Sequence, residues 1–117
     1  MEKLVRDQIL EIEPNLPHRI AEPHEMKLLL ARKLVEEANE VLREVLNETV
    51  FCNPPQDNTP RIIAEAADLI MAMYGFVGTI PDGEKRLNQV LDAREKAEGL
   101  DRFSKRIVMQ ILPPGRG

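Results

Sequence analysis

Five carboxylates in two short clusters carry most of the chemistry this chain could do: Glu36, Glu37 and Glu40 in KLVEEANEVL, then Glu65 and Asp68 in IIAEAADLIMAMYGF. Apart from Glu65 and Asp68, every side chain from Ile62 to Phe76 is apolar, tyrosine or glycine. On a helix, residues three apart project to one face, so Glu65 and Asp68 form a pair of like charges one turn apart in a stretch that reads as buried. Ionised carboxylates in an apolar interior cost several kcal/mol each, on the order estimated for buried ions, unless something positive meets them. The same projection over residues 30–45 puts Leu30, Leu34, Ala38, Val41 and Val45 on one stripe, with Glu37 at its edge, Glu40 further round and Glu36 nearly opposite. If the two helices pack side by side, Glu37, Glu40, Glu65 and Asp68 can converge on an oxygen-lined pocket suited to a divalent cation. Oxygen donors without histidine or cysteine favour Mg²⁺, with Mn²⁺ as a substitute. The plainer reading of the first cluster is a solvated face paired with Lys33 or Arg43, and that of the second is a buried salt bridge, which would need two arginine partners.

Those acids need helices to position them, and the chain is punctuated to provide them. Residues 2–12 show apolar residues at helical spacing before Glu13-Pro14-Asn15, which predicts a short helix or ordered arm. Pro17 and Pro23 make NLPHRIAEPHE a connector. Residues 25–46 lack glycine and proline and predict the first long helix. Residues 47–60 collect turn formers, and Thr59-Pro60 offers an N-cap with proline at the first helical position of a second long helix to Phe76. A turn at Pro81-Asp82-Gly83 precedes a third, polar helix over 84–98, ended by Gly99. The segment RFSKRIVMQIL predicts a last helical turn or a short strand, and residues 113–117 a loose tail. The expectation is one all-α domain over residues 1–112. Its incomplete bundle needs a second chain to cover the apolar helix 62–76, hence a homodimer or homotetramer.

The bulk properties narrow the function. A length of 117 residues fits a single domain, and a net charge of −4 with a pI near 5.2 argues against binding a nucleic-acid polymer or a membrane surface. No run of 18 apolar residues and no leader is apparent, and Cys52 is the only cysteine, which rules out an intrachain disulfide. A soluble protein of the reducing cytoplasm is expected. Aromatic residues make up 3% of the chain, so its core must rest on aliphatic side chains that favour helices. His18 and His24 both lie in the connector, which leaves no Ser-His-Asp or Cys-His constellation and no Glu-x-x-His of the di-iron kind.

The run KLVEEANE followed by EAAD resembles the EExxE and ExxD signature of the all-α NTP pyrophosphatases, the superfamily of MazG-like proteins, phosphoribosyl-ATP pyrophosphatase and dimeric dUTPases. KLVRDQILEI is similar to the KLVRDKIPEI opening of the phosphoribosyl-ATP pyrophosphohydrolase-like branch, with Gln8 for a lysine and Leu10 for the proline. HRIAEPHEMKLLLARKL resembles the lead into that branch's acidic helix, and KAEGLDRFSKRIVM its basic glycine-containing segment, although GLDRF is longer than the usual GGF. The resemblance implies a helical bundle completed by oligomerisation and Mg²⁺-dependent hydrolysis of a nucleoside triphosphate between the α and β phosphates. The products would be a nucleoside monophosphate and pyrophosphate, often to clear unwanted nucleotides. Position by position it implies Glu37, Glu40, Glu65 and Asp68 as metal ligands, Glu36 as base or water-positioning group, and Arg6, Lys96 and Arg106 as phosphate contacts. Two other readings stay open, phosphoribosyl-ATP hydrolysis and a non-enzymatic helical oligomer that binds nucleotide or protein.

Overall fold

A computed structural model describes residues 2–49 and 57–111, among which every regular element is helical and no strand occurs. Element α1 is a single turn, Ile9–Ile12, and a 3₁₀ turn at Pro23–Glu25 leads into α2, Met26–Thr49. Element α3 spans Thr59–Val77 and α4 spans Gly83–Glu98. The predicted short N-terminal helix and three long helices are present, with α2 three residues longer at its end than the sequence suggests, whereas the last helical turn or short strand predicted for RFSKRIVMQIL does not form among the described residues. Residues 107–111 after the turn at 102–105 are neither helix nor strand. Cys52 and the tail 113–117 lie outside the described residues. The chain divides into two compact units, Met1–Glu84 and Lys85–Gly117, where the sequence reading carries one domain to residue 112. No helix among the described residues is long and apolar enough to cross a membrane.

The first unit is a hairpin of α2 and α3 with an N-terminal arm laid along α2. Gly75 of α3 brings the helices close, since a Cβ there would stand 3.2 Å from Leu30 Cδ2. At the other end the Asn58 side-chain amide donates to the Glu44 carbonyl and carboxylate, both at 3.3 Å, and the Asn58 N–H donates to Glu48 Oε2 at 2.8 Å. These bonds satisfy Asn58, the buried polar residue among those described. Asn58 also occupies the N-cap that the sequence assigns to Thr59, because the Asp57 carboxylate accepts from both the Thr59 N–H and hydroxyl and draws Thr59 into the first turn. The arm is tied down by Arg19, which bridges Glu2 at 2.7 Å and Glu25 at 2.8 Å, and by Lys3, which reaches Glu36 at 3.2 Å. Glu25 in turn accepts the Glu22 N–H and closes a capping box at the 3₁₀ turn.

Helix α3 is less buried than its composition predicts. Ile63, Ile70, Met71 and Tyr74 are more than half exposed, and so are Leu28, Val35 and Leu42 of α2. The reason is geometric: a two-helix hairpin covers only one stripe of each helix, while α3 is apolar nearly all round. On α2 the exposed residues Leu28, Val35 and Leu42, with Ala31 and Ala38 between them, advance in alternating steps of three and four, the spacing of a coiled-coil seam.

Candidate metal centre

Three of the five carboxylates meet. Glu37 on α2 and Glu65 and Asp68 on α3 each offer an oxygen, and these oxygens lie within 4.8 Å of one another. Glu65 and Asp68 are neighbours by helical spacing, and Glu37 joins them because it occupies the α2 face that meets α3, with half-buried Leu34 and Val41 one turn on either side. Glu40 lies close enough to raise the Glu65 pKa but outside the three-oxygen group, and it pairs with Arg43 at 3.4 Å. Glu36 faces the arm, between Lys3 at 3.2 Å and Lys33 at 3.5 Å, and Lys33 also reaches Glu37 at 3.4 Å. The first cluster therefore has the lysine and arginine partners of a solvated face while Glu37 also joins α3's acids.

Charge is unevenly compensated across this group. Partial burial, then Asp68, Glu37, Glu40 and Glu44, push the Glu65 carboxyl above its ordinary value of 4.5. Burial also acts on Glu36, but the hydrogen bond from Lys3 and the nearby Lys33 charge outweigh it, leaving Glu36 below 4.5. Two members of this electrostatic group were not singled out by sequence reasoning. Glu44 continues the four-residue step from Glu40 and was legible in that spacing; Lys3 lies 33 residues from Glu36 and carried no local signal.

The residues suit Mg²⁺. All three donors are hard carboxylate oxygens, and to hold one ion the oxygens, now within 4.8 Å of one another, would draw in to the roughly 3.0–4.2 Å separations of an octahedron with ligands at about 2.1 Å. Three carboxylates leave positions for water and phosphate oxygens, as Mg²⁺ sites commonly do. A cation there would also relieve the repulsion that raises Glu65.

Arg6 lies on the arm and lines a cavity against α2 together with Lys33. Lys96, in the last turn of α4, and Arg106, at a left-handed φ of 55°, belong to the second unit. Comparison with family models, with curated proteins and with solved structures finds no match for this chain.

Proposed function

We propose that the chain is a Mg²⁺-dependent nucleoside triphosphate pyrophosphohydrolase that acts on the α–β bond of a nucleotide. The observation that carries this reading is the convergence of Glu37, Glu65 and Asp68 from two helices on one point. Such a centre holds a hard cation and leaves coordination positions free, which is what a triphosphate requires of a site that lies in an acidic protein. In the reaction, water adds to one phosphorus of the α–β bridge, the bond from that phosphorus to the bridging oxygen breaks, and the water proton passes to a carboxylate or to solvent. Bound Mg²⁺ supplies neutralisation of the charge that gathers on the phosphate oxygens. Glu37, Glu65 and Asp68 would hold the cation, with Glu40 contributing from the rim. Glu36, kept ionised by Lys3 and Lys33, orients the attacking water. Lys96 and Arg106 remain phosphate-contact candidates on the sequence resemblance alone.

The exposed seams on α2 and α3 support a homo-oligomer as the working form. Covering Val35, Leu42, Ile63, Ile70, Met71 and Tyr74 would contribute roughly 1 kcal/mol or more apiece. A second copy offers the same heptad-spaced surface in return. Incubation with a panel of canonical and modified nucleoside triphosphates, with and without Mg²⁺, tests the activity. Monophosphate and pyrophosphate formed only with metal are expected, and the absence of product across the panel would contradict the proposal.

A further inference from the structure

The N-terminal arm is held more by charge than by burial. No residue from 2 to 22 is fully buried: Leu4, Ile9 and Leu10 reach only half-burial, and Ile12 and Ile20 stand largely in solvent. Ion pairs fasten the arm instead. Arg19 closes it on itself at Glu2 and onto Glu25 at the 3₁₀ turn, while Lys3 fastens its start to Glu36, midway along α2, at 3.2 Å. The Lys3 and Glu36 side chains are 62% and 34% exposed, and a pair that open to water holds weakly and is screened by salt. A small electrostatic change can undo it.

Glu36 is where that contact meets the acidic centre. Lys3 and Lys33 share one oxygen, Glu36 Oε1, at 3.2 and 3.5 Å, and Lys33 also stands 3.4 Å from Glu37 Oε1. Charge alternates without a break from Lys3 through Glu36 and Lys33 to Glu37. Glu37 ends that line and belongs to the three-oxygen group with Glu65 and Asp68.

We propose that the arm is a strap, closed by Lys3 on Glu36 and released when a divalent cation occupies the group formed by Glu37, Glu65 and Asp68. The inference rests on the Mg²⁺-dependent reading above and adds a conformational consequence to it. With Glu37 engaged by the cation, the Lys33 ammonium loses one of its two partners and is pushed toward Glu36. Two ammonium groups then compete for one carboxylate. Lys33 is anchored on α2 with its side chain only 18% exposed, whereas Lys3 sits on the weakly held arm, so Lys3 is the one that leaves. Linkage makes the effect reciprocal: the closed strap keeps an extra positive charge beside the centre and weakens cation binding by the same factor. Release leaves Glu36 with Lys33 alone and opens its Lys3 side to water, the molecule that the hydrolytic reading has Glu36 orient.

The test follows backbone mobility of residues 3–12 in the full chain by heteronuclear NOE, at constant ionic strength, without Mg²⁺ and with Mg²⁺ at saturation. Calorimetric titration of the same samples gives the Mg²⁺ affinity. In wild type, Mg²⁺ should lower the NOE values of the arm toward those of a flexible segment and leave those of α2 unchanged. Lys3→Met should show the lowered values without Mg²⁺, change little when it is added, and bind it about two- to fivefold more tightly, the span expected of an exposed ion pair. Lys27→Met, which removes the same charge about 15 Å from Glu37 along α2, should match wild type in both readings. Asp68→Asn should keep a closed arm at Mg²⁺ concentrations that open the wild type, which separates release by an occupied centre from screening by dissolved ions. An arm equally rigid in wild type with and without bound Mg²⁺, or equally rigid in wild type and Lys3→Met, would overturn the strap. The two readings fail separately: a wild type that binds no Mg²⁺ overturns the metal centre and the release with it, whereas Mg²⁺ bound without any change in the arm overturns the strap alone.

Discussion

Asp68 and Glu65 share one turn of α3, and removing either should cost function, while removing the Glu65 charge should add stability. Outer partners of a metal ligand are typically worth 10–100-fold in metal affinity or activity, so Asp68→Ala, which removes a proposed ligand, should on that proposal lower kcat/KM by about a hundredfold or more in a Mg²⁺-dependent assay. Glu65→Gln should also lose Mg²⁺ affinity but raise the melting temperature of the metal-free chain, on the order of a few degrees, at neutral pH. The sign follows from linkage. The folded Glu65 carboxyl lies above the 4.5 of the unfolded chain, so its ionisation costs stability above the folded value, and the cost fades as pH falls toward 4.5. Glu25 shows the reverse. The Arg19 hydrogen bond, then the Glu22 N–H, hold it down at about 2, so its contribution is complete above 4.5 and is lost as pH falls through about 2. Melting curves of wild type and Glu25→Gln should therefore differ at pH 6 and converge toward pH 2. Of these residues, the pairing of Glu65 with Asp68 was legible from a three-residue step, and the approach of Glu37 from its place beside an apolar stripe. The ties that fix the arm were not, since Lys3–Glu36 and Arg19–Glu2 join residues far apart in sequence through exposed charges that no periodicity marks.

At the scale of elements, the breaks between helices are where close backbone packing substitutes for side chains. Asp82 takes a left-handed φ of 54°, a conformation that aspartate tolerates, and Gly83 then starts α4 with its Cα against the end of α3. A Cβ on Gly83 would fall 2.1 Å from the Val77 carbonyl oxygen, a backbone atom that cannot rotate away. Gly83→Ala should thus destabilise the chain by about 2 kcal/mol or more despite alanine's higher helix propensity, and denaturant unfolding measures it. Helix positions were readable from glycine, proline and unbroken aliphatic periodicity. What stayed hidden was how far α3 would remain open: periodicity reports that a helix is apolar all round, but not how many neighbours a single chain can bring to it. The one-residue difference at the start of α3 has a similarly local cause, because Asp57 accepts both Thr59 donors and draws Thr59 into the first turn, leaving Asn58 at the N-cap.

The whole molecule leaves a heptad-spaced seam on α2 and an apolar flank on α3 exposed, and on the proposed account these surfaces meet in an oligomer. Sedimentation of wild type should give a dimer or tetramer, and Val35→Lys with Ile70→Lys should shift it to monomer with a lower melting temperature. A wild-type monomer at tens of micromolar, on the order of ordinary assay concentrations, would remove the oligomer from the proposal. The proposed metal centre lies within one chain, on α2 and α3 of the same hairpin, so on that proposal its stoichiometry should be one ion per chain whatever the oligomeric state. Calorimetric titration of the metal-free protein with Mg²⁺, run side by side on wild type and Asp68→Asn, tests that centre most directly. Saturable binding of one ion per chain in wild type, abolished in Asp68→Asn, is the predicted result; no saturable binding, or equal binding in both, would contradict it.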